Sequence, residues 1–261
     1  MRQRGRMSDA SDMRAQSTAA PVSIVIPARD EVDNVVPLLD EVASALAGRD
    51  AFEIIVVDDG SSDGTAARLA AMLPERPWLR GVRHQSPCGK SAAVRSGVVA
   101  ARHEIIVTLD GDGQNDPRYV LPLIAALAAG GARTGLIAGQ RMRRGDGAWK
   151  KLQSRIANAV RRAMLGDGTR DSVCGLKAFR RELFLALPYF DTMHRFLPAL
   201  VHREGFAVGY VDVIDRPRQH GRSHYGMWDR LSVGVVDLFG VWWLMRRRKR
   251  SPQYEEITGA R

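Results

Sequence analysis

Short apolar runs alternate with amphipathic segments through the first half of this chain. Runs rich in Val, Ile and Leu have the length of buried strands, and segments with apolar residues at helical spacing separate them. The runs lie at 22–27, 52–57, 79–83, 104–107 and 135–139. The helical segments lie at 35–46, 65–73 and 117–129, and a basic one follows at 149–165. This alternation predicts a single α/β domain with a mostly parallel central sheet flanked by helices.

Acidic residues follow three of these strands. Glu31 comes after the first strand, Asp58 and Asp59 after the second, and Asp110 and Asp112 after the fourth. In open α/β sheets, ligands bind outside the carboxyl ends of the strands. The alternative is that Asp, Ser and Gly merely cap helices and form turns there. That alternative suits the Ser-Asp-Gly segment after the second strand, but it does not explain carboxylates at three separate strand ends.

Asp110 and Asp112 stand one residue apart in the segment Asp-Gly-Asp-Gly-Gln. Two carboxylates this close repel each other unless a cation lies between them. Mg²⁺ and Mn²⁺ prefer oxygen ligands, and Mg²⁺ is commonly held by one or two carboxylates together with substrate phosphates. The sequence therefore predicts a site for Mg²⁺ or Mn²⁺ at Asp110, Asp112 and Gln114, although the same residue types also form ordinary turns.

The net charge of the chain limits the classes of partner that it is expected to bind. The 261 residues carry a formal net charge of +10, which favours anionic partners such as nucleic acid, diphosphates or acidic lipid surfaces. Acidic strand ends argue against nucleic acid, because carboxylates repel the phosphate backbone. The 2 cysteines indicate no disulfide framework, and we expect reduced thiols in a cytoplasmic protein. Residues 1–20 lack the apolar core of a secretory signal and are expected to form a disordered tail.

Four motifs together resemble those of the family 2 glycosyltransferases, which have the GT-A fold. They are 26–31 (IPARDE), 56–65 (VVDDGSSDGT), 89–97 (GKSAAVRSG) and 110–114 (DGDGQ). Arg29 and Asp30 replace the commoner Tyr and Asn, and Ser91 replaces a Gly. The resemblance implies a GDP- or UDP-sugar as donor. The implied donor-binding residues are Pro27, Arg29, Glu31, Asp58, Asp59, Lys90, Asp110, Gly111 and Asp112.

Three later segments resemble the polyprenyl-phosphate glycosyltransferases, the group that includes dolichol-phosphate mannosyltransferase. They are 171–181, 194–200 and 218–226. The resemblance implies inverting transfer of a sugar to a polyprenyl phosphate. The implied acceptor-phosphate residues are Arg141, Arg155, Arg195, Arg218 and Ser223, and the implied catalytic residues are Asp112, Asp171 and Arg218. Arginine suits bidentate phosphate contact, and Asp171 is the carboxylate for a base where one is needed.

Two alternatives stay open at this point. The same fold also serves transfer to a saccharide or another hydroxyl acceptor in cell-envelope polysaccharide synthesis, and segment 218–226 also fits a basic surface loop. The histidines, among them His194, lack a metal-binding spacing and are expected in loops or on the surface.

The last apolar segment, 231–245, contains Asp237 and is followed by five consecutive cations at 246–250. It is shorter than the roughly 20 residues that span a bilayer. Paired tryptophans and a basic cluster favour a helix at the membrane interface. We therefore predict a catalytic domain at 21–228, an amphipathic interfacial helix with its basic cluster at 229–250 and a tail at 251–261, on the cytoplasmic face of a membrane. The alternative is a helix that packs on the core or on a second copy.

Overall fold

The computed structural model describes residues 20–142, 159–169, 171, 173–217 and 227–247, with the backbone alone at 227–233. Several predicted features therefore lie outside the described residues. These are the N-terminal tail to residue 19, most of the basic helix 149–165, segment 218–226, and the chain from 248 onward. Three predicted acceptor residues, Arg155, Arg218 and Ser223, belong to this group.

A seven-stranded sheet forms the centre of the described structure, in the order β3-β2-β1-β4-β6-β5-β7. The strands are β1 (Val22–Ala28), β2 (Phe52–Asp58), β3 (Leu79–Arg83), β4 (Ile105–Thr108), β5 (Thr134–Arg141), β6 (Lys177–Arg180) and β7 (Ala207–Val213). Strand β6 is antiparallel to β4 and β5, and the remaining pairings are parallel. The mostly parallel sheet is thus confirmed.

Helices cover the two faces of the sheet. They are α1 (Val35–Ala45), α2 (Thr65–Met72), α3 (Lys90–Ala100), α4 (Val120–Ala129), α5 (Arg181–Ala186), α6 (Leu197–Arg203) and α7 (Met227–Arg246). Residues 159–165 are also helical. Short 3-10 turns lie at Leu73–Glu75, Pro117–Tyr119, Gly131–Arg133 and Met193–Arg195.

The central strands are buried on both faces, because successive side chains of a strand point to opposite sides. Ile24 and Ile54 pack on one side with Leu39 of α1. Val25 and Ile55 pack on the other side with helix α3. Such double burial explains why these strands read as continuous apolar runs rather than as alternating patterns.

The sequence placed the first five strands and the early helices close to where they lie. Two corrections are needed. The segment predicted as one helix at 117–129 opens with a 3-10 turn, at whose start the Asp116 side chain accepts a hydrogen bond from Arg118 N at 3.0 Å. Strands β6 and β7 were not predicted. Strand β6 has the sequence Lys-Ala-Phe-Arg, whose two apolar residues between cations form no apolar run.

Helix α7 carries apolar side chains on two sides, so the predicted amphipathic pattern is not confirmed. Val241 is buried in the core, and Leu238 and Met245 pack beside it. Val236 and Phe239 are 72% and 58% exposed on the other side. Among the helices that the structure describes, none is both long and apolar enough to span a bilayer.

We predict that Gly97→Ala destabilises the fold. Helix α3 crosses the sheet so closely that a Cβ at Gly97 would lie 2.4 Å from Val25 Cγ1 and 3.1 Å from Val57 Cγ2. Overpacking of this kind costs about 1–3 kcal/mol, which exceeds the helix propensity that alanine gains. Guanidinium unfolding followed by circular dichroism measures the change. Gly81→Ala is the control, since a Cβ there has no heavy atom within 4 Å. Equal unfolding midpoints for the two variants would contradict the prediction.

Candidate active site

A cleft of about 430 Å³ opens at the carboxyl ends of β1, β2 and β4. Most of the predicted site residues within the described chain line it. They are Pro27, Arg29, Glu31, Asp59, Lys90, Asp110, Gly111, Asp112, Gln114, Arg141 and Arg195. The sheet edge thus gathers side chains that are far apart in sequence, as the positions of the strand ends predicted.

The segment 110–114 turns sharply at the end of β4. Asn115 Oδ1 accepts a hydrogen bond from Asp110 N at 3.0 Å, and Asp112 Oδ1 accepts one from Gln114 N at 3.2 Å. Gly111 passes so close to β1 that a Cβ there would lie 2.9 Å from the Pro27 carbonyl oxygen. The turn therefore holds Asp110 and Asp112 on the same wall of the cleft, where both carboxylates line the cavity.

Lys90, the first residue of α3, compensates the charge of this wall. Its Nζ donates to Asp110 Oδ1 at 2.5 Å, and both side chains keep partial exposure. Gly175 also lies against this carboxylate, since a Cβ there would fall 2.0 Å from Asp110 Oδ1. Asp110 therefore contacts a lysine and packs against a glycine backbone.

Asp59 fixes the loop that precedes Lys90. Its two carboxylate oxygens accept hydrogen bonds from Cys88 N and Gly89 N, each at 2.8 Å, and His84 Nδ1 lies 2.7 Å from Oδ1. Asp59 still lines the cleft. Asp58 does not line it: it is 1% exposed, accepts a hydrogen bond from Ser61 N at 3.1 Å and faces Arg83. Both residues are predicted to bind the donor, but of the two only Asp59 lines the cavity.

The loop after β1 is tied to the loop after β2. Asp30 has a φ of 53°, in the left-handed region that Asn and Asp tolerate better than most residues. Its Oδ1 accepts from Ser62 N at 2.8 Å, and its own N–H donates to Ser61 Oγ at 2.9 Å. Because Asp tolerates this conformation, the departure from the family's usual Asn leaves the geometry of the loop available.

Arg141 is already engaged by two carboxylates. Its guanidinium donates two hydrogen bonds to Asp171, at 2.5 and 2.9 Å, and one to Asp215 at 3.2 Å. Burial by itself lowers the pKa of Arg141, but the hydrogen bonds and charges of these aspartates outweigh it and raise the pKa. Asp171 is 6% exposed and does not line the cleft. The geometry therefore favours a structural pair over the predicted roles as base and phosphate ligand.

Asp215, at the end of β7, is a cleft residue that the sequence reasoning missed. Burial raises its pKa, and the nearby charge of Asp110 raises it further, which Arg141 offsets in part. Asn115 Nδ2 also donates to its carboxylate, at 3.3 Å. The signal was available, since Asp215 is another acidic residue that follows a strand.

His194 lines the cleft, a position that the sequence did not indicate. It belongs to the 3-10 turn Met193–Arg195, and its Nδ1 is 2.8 Å from Ser91 Oγ. Burial, followed by the charges of Lys90, Lys177 and Arg195, holds the pKa of His194 well below its ordinary range. The ring is therefore neutral at physiological pH.

Two further cations, Arg195 and Lys177, differ in their access to the cleft. Arg195 lines the cleft, and within the described part of the chain its buried Nε has no hydrogen-bond partner. Lys177, on β6, is 3% exposed and donates to the carbonyl oxygen of Cys174. Burial lowers the pKa of Lys177 to about 8, while the charges of Asp110 and Asp171 act in the opposite direction. Arg195 thus remains as a cationic donor for an anion in the cleft.

The wall formed by Asp110, Asp112 and Gln114 fits a hard divalent cation. Two carboxylates and a side-chain amide supply oxygen ligands, which Mg²⁺ and Mn²⁺ prefer over nitrogen or sulfur. The three residues border an open cavity that leaves room for substrate oxygens. The chemistry of the predicted metal ligands therefore agrees with their position.

The model of glycosyl transferase family 2 matches residues 23–187, more than half of the chain, including Asp59, Lys90, Asp110 and Asp112 of this cleft. The chain belongs to glycosyl transferase family 2. It is 33% identical over 234 residues to dodecaprenyl-phosphate galacturonate synthase of Rhizobium johnstonii, covering 88% of this chain and 68% of that protein. It is 34% identical over 209 residues to undecaprenyl-phosphate 4-deoxy-4-formamido-L-arabinose transferase of Pseudomonas aeruginosa, covering 78% and 60%.

Solved structures share the GT-A fold of this family. Mannosyl-3-phosphoglycerate synthase from Rubrobacter xylanophilus superposes with a TM-score of 0.69 at 20% identity, covering 95% of this chain and 82% of that one. A second structure is glucosyl-3-phosphoglycerate synthase from Mycobacterium tuberculosis in complex with Mn²⁺, UDP and glucosyl-3-phosphoglycerate. It superposes with a TM-score of 0.65 at 22% identity, covering 90% of this chain and 83% of that one. At these identities the likeness shows the fold alone.

We predict that Lys90→Met strengthens Mn²⁺ binding to the protein without nucleotide. Loss of the ammonium leaves Asp110 with an uncompensated charge that attracts the cation. Because the ion pair is partly exposed, the change is on the order of threefold in Kd. Titration followed by the electron paramagnetic resonance of free Mn²⁺ measures it. Lys90→Arg keeps the charge and serves as the control. Unchanged Mn²⁺ affinity in Lys90→Met would show that Lys90 does not compete for this wall.

Proposed function

We propose that this protein transfers a sugar, with inversion, from a UDP- or GDP-sugar to a polyprenyl phosphate. The observation that carries the proposal is the composition of the cleft, where a carboxylate wall suited to a divalent cation faces Lys90 and Arg195. Both reactants are anionic phosphates. The names of the two relatives, a dodecaprenyl-phosphate and an undecaprenyl-phosphate enzyme, support the acceptor class.

The donor lies along the loops after β1 and β2 in this proposal. Asp59 contacts the base or ribose, beside Pro27, Arg29 and Glu31. Glu31 is buried and held by Asn34, so its position is set before the donor arrives. Lys90 lies within reach of the diphosphate, because it already contacts Asp110 on the wall where the phosphates bind.

A divalent cation completes the donor site. Asp110, Asp112 and Gln114 would hold Mg²⁺ or Mn²⁺, which neutralises charge on the departing nucleoside diphosphate. The backbone of Gly175 packs against Asp110 and restricts its movement, and Lys90 balances the charge of that carboxylate.

The acceptor needs positioning more than it needs a base. A phosphate monoester has a second pKa near ~6 and is mostly ionised at neutral pH, so its oxygen is already a nucleophile. This suits a cleft in which Asp171 is committed to Arg141. Arg195 orients the phosphate, together with Arg155, Arg218 and Ser223 from segments outside the described residues. Correct orientation supplies much of the rate enhancement in such a reaction.

Helix α7 gives the enzyme a surface for an anionic membrane. Val235, Val236, Phe239 and Trp243 form an exposed apolar row. Arg246 and Arg247 follow, stacked over Trp242 and Trp243 at 3.8 and 4.9 Å from the ring centroids. Apolar residues beside cations suit the interface between headgroups and acyl chains. We therefore place the enzyme peripherally, on the cytoplasmic face where its lipid acceptor is accessible.

The direct test is incubation with labelled nucleotide sugars and a short polyprenyl phosphate, followed by organic extraction. Label in the organic phase supports the proposal. Label transferred only to an added saccharide, in the aqueous phase, would favour the alternative of a hydroxyl acceptor. Omission of the divalent cation should abolish transfer, and separate additions of Mg²⁺ and Mn²⁺ identify the preferred ion.

We predict that Asp112→Asn lowers transfer by about 100-fold or more with the fold intact, because stabilisation by a metal ion contributes several kcal/mol. Turnover is measured at saturating Mn²⁺, and thermal unfolding checks the fold. Asp50→Asn, which removes an exposed carboxylate before β2, is the control. Near wild-type turnover in Asp112→Asn would exclude Asp112 from the metal site.

We also predict that salt releases the protein from anionic vesicles. Each juxtamembrane Lys or Arg contributes about 1 kcal/mol near such a surface, and salt screens that attraction. Sedimentation with phosphatidylglycerol vesicles at low and high salt measures the bound fraction. Replacing Val236, Phe239 and Trp243 with Ser should abolish binding, whereas Val99→Ser, at a 54% exposed site on α3, should not. Extraction by detergent alone would instead indicate an integral helix.

A further inference from the structure

We propose that Asp237 couples the membrane-facing helix α7 to the cleft through Thr192. The part of the cleft concerned is lined by Asp191, Thr192, His194 and Arg195 and is called the acceptor wall below. The inference rests on the proposed function, because it assigns a role to helix α7 on the membrane and to the wall that would receive the lipid phosphate. Asp237 is a positioning residue in this proposal, since it acts through Thr192 and not on the substrate.

The carboxylate of Asp237 needs a partner. It is the acidic residue in the otherwise apolar segment 231–245, and it is partly buried on α7. A carboxylate withdrawn from water is costly unless it is hydrogen-bonded. Thr192 supplies that bond, since its Oγ1 donates to Asp237 Oδ2. The two residues are 45 positions apart in sequence, so the bond links α7 to a separate part of the domain.

Thr192 in turn determines the geometry of the cleft wall. Its φ of 63° is uncommon for a β-branched residue and has to be held by its surroundings. Its N–H donates to Asp191 Oδ1 at 2.7 Å, and its carbonyl oxygen accepts from Arg195 N at 2.9 Å. Asp191, Thr192, His194 and Arg195 all line the cleft. Movement of Thr192 therefore moves Arg195, which is proposed to orient the acceptor phosphate.

The same turn of α7 faces outward. Val236, next to Asp237 in sequence, is 72% exposed, and Phe239 is 58% exposed. The side of α7 that carries Val241 is packed on the core, so the helix is fixed to the domain rather than detached from it. The exposed apolar row and the adjacent Arg246 and Arg247 match an anionic bilayer. A helix docked on that surface would stabilise the Asp237–Thr192 bond and, with it, the wall at Arg195.

Hydrogen exchange tests the coupling without knowledge of the sugar. The full-length protein is measured alone and with vesicles of phosphatidylglycerol and phosphatidylcholine, without acceptor lipid or nucleotide. In the wild type, we expect the vesicles to slow deuterium uptake in peptides that cover 190–196. Asp237→Leu and Thr192→Val should still bind the vesicles but lose this slowing. Asp237→Asn and Thr192→Ser keep an acceptor and a donor, respectively, and should retain it.

A kinetic measurement separates positioning from general stability. With undecaprenyl phosphate in vesicles, Asp237→Leu should raise the acceptor KM by about tenfold, the effect of losing one hydrogen bond, with the donor KM unchanged. Glu75→Gln, an exposed change on the turn before β3, is the matched control for loss of one negative charge. A merely structural role would lower the melting temperature and leave the ratio of the two KM values unchanged.

Three results would overturn the coupling. They are slowing that persists in both Asp237→Leu and Thr192→Val, uptake in the wild type that vesicles do not alter, and failure of wild-type protein to bind the vesicles. Exposed apolar residues that bind a protein partner instead would produce the last of these. Absence of a lipid product, with the exchange pattern as expected, would support the coupling and overturn the polyprenyl-phosphate proposal.

Discussion

Crowding of negative charge at one edge of the sheet is the constraint on which this structure depends. Parallel strands end together, so Asp59, Asp110, Asp112 and Asp215 converge on one cavity. Neighbouring carboxylates destabilise one another unless their negative charges are compensated. Much of the surrounding architecture provides this compensation. Backbone N–H groups donate to Asp59, and Lys90 forms an ion pair with Asp110. Arg141 forms ion pairs with both Asp171 and Asp215.

The form of compensation separates supporting carboxylates from those available for chemistry. Asp171 and Asp58 are nearly buried: Arg141 donates to both oxygens of Asp171, and Ser61 N donates to Asp58 Oδ1. Asp110 is compensated by one flexible, partly exposed lysine, which a ligand can displace. Residue identity alone cannot reveal this difference, because both kinds are aspartates. The distinction depends on which neighbour the fold brings to each one.

The sequence predicted β1 to β5, and hence the position of the cleft, because buried parallel strands produce clear apolar runs. It could not predict β6, whose four residues run antiparallel between β4 and β5 and bring Gly175 against Asp110. The position of His194 in the cleft could not be predicted for a related reason. Its burial follows from packing against Ser91, 103 positions away, and no local pattern records that contact. Asp215 was within reach of the rule applied to the other strand ends, had β7 been recognised.

Gly175 has a thermodynamic consequence. Since no side chain separates its backbone from Asp110, the segment that carries Asp171 and Cys174 rests directly on a proposed metal ligand. Thr108 Oγ1 fastens the same backbone by donating to the Gly175 carbonyl oxygen at 2.6 Å. Any shift of Asp110 on binding a cation is therefore transmitted to that segment. By linkage, if the cation changes the affinity for a ligand that binds against that segment, the ligand changes the affinity for the cation by the same factor. The close approach that glycine permits at position 175 thus makes the two affinities interdependent.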